Sequence, residues 1–397
     1  MEDFLIIGGG LSGLILAYFL QKNNFNCKII ERDPSICGKR QGFSLTLQHR
    51  TKDILEEYGL LDEILSHGSP VNTQIFYSNT GEILYKNENQ DQKRFNYPLP
   101  RQEIRNTFYN QLKKGTVIWN KYVTNILVGE EYTEVVCSDD SIFQCKVLFA
   151  CDGLHSKVRQ FVTDQMIVLD DFNLMNIYGL MEFNQLGENK NNVLNFFKNK
   201  EVQVLDGHHR FFSKPFNDHF QMWELTYPLT DNDDDGKYIY NVLNSKQDPR
   251  HQALQKVNQI VHEWNLPELH KFIETSDVDR IIVHPLYDHL PTYDEVKNLA
   301  KKKILLIGDS IHPMSPFIGM GANQAIVDAY EVVELLKAGK GSLEEIIDQY
   351  YKEMIYRTRI SVMRSRDNTL FYHSPDAINR QKLYAFKGWK HKLLTKV

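Results

Sequence analysis

The run FLIIGGGLSGLILAYFL at residues 4–20, followed by CKIIE at 27–31, leaves few folds open to this chain. Residues 4–7 are four large apolar side chains in a row, the pattern of a buried strand, and Leu11 to Gln21 read as a helix. Between them Gly8-Gly9-Gly10-Leu11-Ser12-Gly13 matches G-x-G-x-x-G, and the second strand ends on an acid, Glu31. Strand, crossover helix and strand close as a βαβ unit, which makes the sheet parallel and the fold class α/β. Gly8 would make a tight turn, Gly10 would let a pyrophosphate approach the helix N-terminus, and Gly13 would let helix and strand pack closely. Glu31 stands where a carboxylate accepts a ribose hydroxyl and repels a 2′-phosphate, which favours the adenosine of FAD or NAD over that of NADP. The fingerprint alone does not separate FAD from NAD.

The same run is apolar enough to imitate a signal peptide or a short membrane span. Glu2 and Asp3 stand where a signal peptide carries cations, and 17 residues with four glycines are short for a span. Over the 397 residues, 42% apolar and 24% charged side chains are those of a globular protein with a core. A net charge of −5 offers no attraction to nucleic acid. Cys27, Cys37, Cys137, Cys145 and Cys151 are an odd set without C-x-x-C spacing, which speaks against a disulfide framework and a zinc site. The expectation is a cytoplasmic chain without metal or integral membrane segment, a monomer or weak dimer.

Further along, apolar residues at helical spacing predict a helix over 51–66, and TQIFYS and EILYK read as strands. PLPRQEIRNTFYNQL (98–112) reads as a helix opened by Pro100, followed by a hairpin turning at Asp139-Asp140-Ser141. Residues 175–228 read as strand-rich, with VLNFF, EVQVL, HRFFS and HFQMWELTYPL as strands, and an amphipathic helix carries Ala253, Val257, Ile260 and Val261 on one face. Ser342 and Glu345 form a capping box at the start of a helical C-terminal part, whose basic surplus predicts a solvated face against an acidic body.

Two more strand ends carry chemistry. ACDGLHSKVR (150–159) presents Asp152-Gly153, and ILLIGDSIHPMSPFIGMGANQAIVDA presents Gly308-Asp309, a Pro-rich turn and a glycine-rich helix start. With the first motif, in this order and spacing, the chain resembles the group A flavoprotein monooxygenases over residues 4–330. Pro316-x-x-Gly319-x-Gly321-x-Asn323 is similar to the form found in tetracycline-inactivating and related members, with Met320 where a Gln is most common.

The resemblance implies a Rossmann-like FAD-binding domain of the glutathione-reductase type (1–70, 98–174 and 281–341). It implies an inserted, sheet-rich substrate domain (71–97 and 175–280), before the C-terminal helical region at 342–397. It implies one tightly bound FAD and NAD(P)H as a transient co-substrate. O2 would be activated as a flavin C4a-hydroperoxide that hydroxylates or epoxidises a small to medium apolar or aromatic molecule. Beside the first motif, Leu11, Ser12 and Arg32 would contact FAD. Asp152 and Gly153 would lie by the pyrophosphate, Gly308 and Asp309 by the ribityl chain, and Gly319, Gly321, Ala322 and Asn323 by the pyrimidine ring. Arg101 resembles the family arginine that contacts FAD, with Arg105 the competing choice. Arg40 falls where members carry a basic residue near the flavin, and His312 is either a base beside it or a structural turn residue. No catalytic side chain is assigned firmly, because the cofactor carries the oxygen chemistry. An FAD-dependent reductase or oxidase on the same scaffold, and a non-catalytic flavin-binding protein, are the competing readings.

Overall fold

The computed structural model describes residues 1–37, 42–90, 96–164, 166–229 and 248–394. Its first sheet has a parallel part in the order Val117–Ile118, Cys27–Ile30, Glu2–Ile7, Ile142–Ala150, Ile304–Leu306. The strands Thr133–Cys137 and Val123–Val128 continue it antiparallel from the first half of Ile142–Ala150. Register places Ile7 beside both Ile30 and Ala150, and Ala150 beside Leu306. The chain therefore leaves the sheet at one carboxyl edge through Gly8, Glu31, Cys151 and Ile307. Ligands of open α/β sheets sit at that edge.

The helix Leu11–Lys22 is buried at Leu11 and from Gly13 through Leu20. It lies among the helices Arg101–Gln111 and Gly321–Ala338 and the first sheet, with the Tyr18 and Phe108 rings edge-on at 5.3 Å. Burial on all sides explains why its sequence imitates a span. Among the described residues, no helix is long and apolar enough to cross a membrane.

The second sheet runs Ile282–Asp288, Asp170–Glu182, Phe220–Pro228, Arg210–Pro215, Lys200–Leu205, Thr73–Ser78, Ile83–Glu88. Lys200–Leu205 and Thr73–Ser78 pair in parallel and the other neighbours are antiparallel. Two boundaries differ from the sequence reading. Asp170–Glu182 enters this sheet before residue 175, and Ile282–Asp288, expected with the cofactor-binding part, forms its edge, where Pro285 removes no needed donor. One face of the sheet packs Met175, Ile177, Val202, Val204, Phe211, Trp223 and Leu225 against the helices Lys190–Phe197, Arg250–His262 and Pro267–Glu274.

VLNFF is not a strand but the end of the helix Lys190–Phe197, which buries Val193 and Phe197, one turn apart. A short apolar run carries no period long enough to separate the two states. The helix expected over 51–66 is two, His49–Glu57 and Leu61–Ser66, separated where Gly59 takes φ +69°. The capping box opens the 30-residue helix Leu343–Tyr372 as expected. Cations of this region meet acids of the body: Arg366 binds Asp288 and Asp170, and Arg357 binds Asp328 and Glu331.

Candidate functional site

A cavity of about 340 Å³ opens at the carboxyl edge of the first sheet. Gly8, Gly10, Leu11, Ser12, Glu31, Arg32, Arg101, Asp152, Gly153, Asp309, Gly321 and Ala322 line it, so all three motifs meet there. Gly8 holds φ +104°, and a Cβ on it would lie 2.4 Å from the Cys151 carbonyl oxygen, so the first and second motifs touch through backbone. A Cβ on Gly13 would lie 2.0 Å from the Gly8 carbonyl oxygen, which locks the helix against its own entry turn. Gly10 is the helix N-cap without a side-chain cap, and a Cβ there would have no atom of the described residues within 4 Å. A helix N-terminus with free amides faces open space at this point, the arrangement that holds a phosphate.

Two residues that line the cavity, Asp152 and Arg101, also carry enclosed polar atoms without a hydrogen-bond partner among the described residues. Asp152 Oδ2 accepts from the backbone of Lys157 at 2.7 Å and Val158 at 3.1 Å, while its Oδ1 is enclosed and unpartnered. Burial raises its pKa against those hydrogen bonds. Arg101 Nε is likewise enclosed without a partner among the described residues, and burial lowers this arginine's pKa against the pull of Asp309 and Tyr178. Glu31 accepts from the Gly9 and Asp33 amides, which fixes its carboxylate at the cavity wall. An extended ligand with hydroxyls and phosphates fits these donors and acceptors, as FAD would. Among the described residues, no cluster of His, Cys, Asp and Glu could hold a metal ion.

Other expected residues stand behind the wall. Gly308, at φ +64°, would press a Cβ to 2.9 Å from Ala325, and its amide donates to Asp328 at 2.9 Å. Pro316 opens the turn Pro316–Ile318, which Gly319 closes at φ +64°. Asn323 braces the segment before the helix His49–Glu57, donating to the Thr46 and Gly319 carbonyls at 2.9 and 2.8 Å and accepting from the Gln48 amide at 2.9 Å. Arg105 does not line the cavity; it donates to the Gly9, Ile36 and Gln102 oxygens and holds the first motif from below. Arg40 lies outside the described residues.

His312 does not line the cavity either. Fully buried, it places Nε2 2.6 Å from Asp328 Oδ2. Burial alone would raise Asp328, but His312 and Arg357 outweigh it and hold the carboxyl down to about 2. Because this value lies below the unfolded one, the stabilisation is complete above about pH 4 and is lost as the pH falls toward 2, roughly 2 kcal/mol in all. The gap in urea-unfolding free energy between wild type and Asp328→Asn is expected to narrow on going from neutral pH to about pH 3. A gap that does not change with pH would contradict the assignment.

Which face of QMWELTY turns inward is open in the sequence, and the structure reveals a buried polar face on this sheet. On Phe220–Pro228, Trp223 and Leu225 point into the apolar core, whereas Met222, Glu224 and Thr226 occupy the opposite face. With them stand Arg210, Lys214, Glu201, Asn176 and Tyr178, most of them buried. Arg210 donates to Gln203 Oε1 at 2.9 Å, lies 3.7 Å from Glu224 and, among the described residues, has no hydrogen bond at Nη1. Its guanidinium lies 4.6 Å from the Phe317 ring, inside the turn of the third motif, and 4.8 Å from Phe212. Phe43 meets Phe216 edge-on at 6.2 Å. This face therefore looks toward the third motif. Strand alternation showed the two faces, but which one turns inward follows from the helices that cover the other.

The family model described as FAD binding domain matches residues 1–365. Monooxygenase 2 of Arabidopsis thaliana is 24% identical over 364 residues, 89% of this chain and 82% of that protein. Klebsiella pneumoniae HpxO complexed with FAD and uric acid aligns with a TM-score of 0.78 at 18% identity, over 99% of this chain and 92% of that one. Tetracycline destructase Tet(51) aligns with a TM-score of 0.69 at 16% identity, over 98% and 95%. At these identities the two structures speak for the shared fold.

Proposed function

The chain belongs to the FAD binding domain family and is an FAD-dependent monooxygenase of the group A type, and on that premise we propose its reaction. It transfers one oxygen atom from O2 to a small or medium aromatic substrate that carries polar groups, with NAD(P)H as a visiting reductant. The convergence of three strand-end motifs on one cavity carries this reading. Bound FAD supplies the electron transfer and oxygen activation.

The protein's part is to hold and orient. Glu31 would take the adenosine ribose, the amides at Gly10 to Ser12 the pyrophosphate, and Asp309 the ribityl hydroxyls. The start of the helix Gly321–Ala338, which has no side-chain cap, would lie against the ring and stabilise negative charge there. Asp152 and Gly153 would lie by the pyrophosphate and help to present NAD(P)H. The substrate would lie between this region and the sheet face bearing Arg210, Asn176 and Tyr178. Buried polar groups reject a ligand that leaves them unpaired, which is why a purely apolar substrate is disfavoured. The aromatic contacts of Phe43 with Phe216 and of Arg210 with Phe317 would help to keep water from the reacting centre. A cytoplasmic location suits a reaction that draws on NAD(P)H.

The test is purification with its flavin, followed by a panel of aromatic compounds scored for stimulated NAD(P)H oxidation and for products heavier by one oxygen atom. Matched consumption and product support the proposal. Dehydrogenated or reduced product without oxygen insertion would establish the oxidase or reductase reading instead. Asp309→Ala is expected to weaken FAD binding by about tenfold to a hundredfold, the loss of hydrogen bonds to a charged group. Unchanged FAD content in the variant would remove Asp309 from the site.

A further inference from the structure

We propose that Arg357, on the C-terminal helix and outside the cavity, is a positioning residue that sets Asp309 toward the cofactor; this rests on the FAD reading above. Asp309 sits in the short turn Gly308–Ser310, between two groups that bind one carboxylate oxygen. Asp328 Oδ2 accepts from the Gly308 amide at 2.9 Å and is met by His312 Nε2 at 2.6 Å. The same turn is closed internally by the Ile311 and His312 amides, both donating to the Gly308 carbonyl at 3.0 Å. The direction of the Asp309 side chain thus depends on where the Asp328 carboxylate stands.

Asp328 sits on the helix Gly321–Ala338 and is fully buried. Its second oxygen, Oδ1, accepts from Arg357 Nη2 at 2.7 Å, and Arg357 also binds Glu331 at 2.8 Å and Gln324. Gln324 in turn donates to Ser361 at 3.0 Å, one helical turn beyond Arg357. The long C-terminal helix therefore grips the helix of the third motif within one turn of Ala322, which lines the cavity. A planar guanidinium with a fixed fork of donors orients a carboxylate more strictly than a point charge does. Arg357 is the one cation seen to fix the Oδ1 side of Asp328 among the described residues, so removing it frees the carboxylate to rotate and the turn to follow.

The variant is Arg357→Met, which keeps the apolar stem and removes the fork, compared with Glu331→Gln, which loosens the grip on the helix without touching Asp328. FAD affinity is read by titrating stripped protein with FAD, together with the absorbance band and midpoint potential of the bound flavin. Arg357→Met is expected to bind FAD on the order of tenfold or more weakly, the scale for groups that orient a ligand-holding side chain. Its flavin band and potential should shift. Glu331→Gln should stay within about threefold, as for a partly exposed pair. Arg357→Lys should lie between wild type and Arg357→Met, and it carries the test alone if Arg357→Met does not fold. Wild-type affinity and spectrum in Arg357→Met, or equal losses in Arg357→Met and Glu331→Gln, would overturn the proposal. The FAD reading itself survives either result, since it fails only if the wild-type protein takes up no FAD.

Discussion

Gly13→Ala protein is expected to purify colourless and to unfold at lower denaturant than wild type. A methyl group there would stand 2.0 Å from the Gly8 carbonyl oxygen, which is backbone and has nowhere to yield because Gly8 itself abuts Cys151. The helix Leu11–Lys22 must move off its strand, and it is packed on every side, so overpacking costs about 1–3 kcal/mol or more. The displaced helix also carries its N-terminal amides away from the pyrophosphate position. Gly10→Ala separates these two effects. Its methyl would meet no atom of the described residues within 4 Å, so the stripped protein should keep its stability while FAD uptake falls, because the added carbon occupies space next to the helix N-terminus. Flavin absorbance relative to protein absorbance, and urea midpoints of the stripped proteins, distinguish the two variants. If Gly10→Ala retained FAD fully, the pyrophosphate would have to lie elsewhere.

Arg210→Met is expected to cost about 3 kcal/mol of stability, near the lower end of the range for breaking a buried pair. The guanidinium lies among Phe212, Phe317 and Tyr372 at 4.8, 4.6 and 5.5 Å, and methionine fills part of that space. The larger loss comes from Glu224, which is 4% exposed and would keep, among the described residues, the Asn176 amide at 3.1 Å and the buried Lys214 ammonium on the same face as its remaining polar company. Pairing Arg210→Met with Glu224→Leu removes the stranded charge and should restore most of the stability, since a buried pair can be replaced by apolar groups at little cost. Neither protein should turn over substrate at the wild-type rate, because the polar face has lost the Arg210 guanidinium in both. Urea unfolding of the four members of this cycle measures the coupling. Equal stability of the single and double variants would show that Glu224 does not depend on Arg210.

The parts of the site that were legible in the sequence are those whose chemistry is local. Gly8, Gly10 and Gly13 are demanded by a turn, an open helix end and a close approach, and each leaves its mark within six residues. Asp152 and Asp309 follow apolar strands directly, so a strand-end position could be read for them. The choice between Arg101 and Arg105 was not legible, because residues four apart share a helix face; in the structure Arg101 lines the cavity, whereas Arg105 is held by the Gly9, Ile36 and Gln102 oxygens. The pairs Asp328–Arg357 and Arg210–Glu224 join elements distant in the chain or strands whose inward face depends on neighbours. A charged residue in a strand reads as solvent-facing until the element that covers it is known. His312 is the converse case: its position beside a glycine-rich motif suggested chemistry, while its partner Asp328, one helix further on, makes it part of the scaffold.

The parallel order of the first sheet has a consequence for the timing of synthesis. The strand Ile304–Leu306 pairs with Ile142–Ala150 only after more than three-quarters of the chain has been made. The first glycine motif and its strands are complete long before that, yet they hold one end of a ligand whose other end has no wall. Folding that proceeds from the N-terminus during translation would leave this half-built cleft waiting for the last strand. Uptake of the yellow cofactor would then serve as a signal that the ribosome has delivered the third motif, and a chain released before residue 304 would be a colourless, protease-prone fragment.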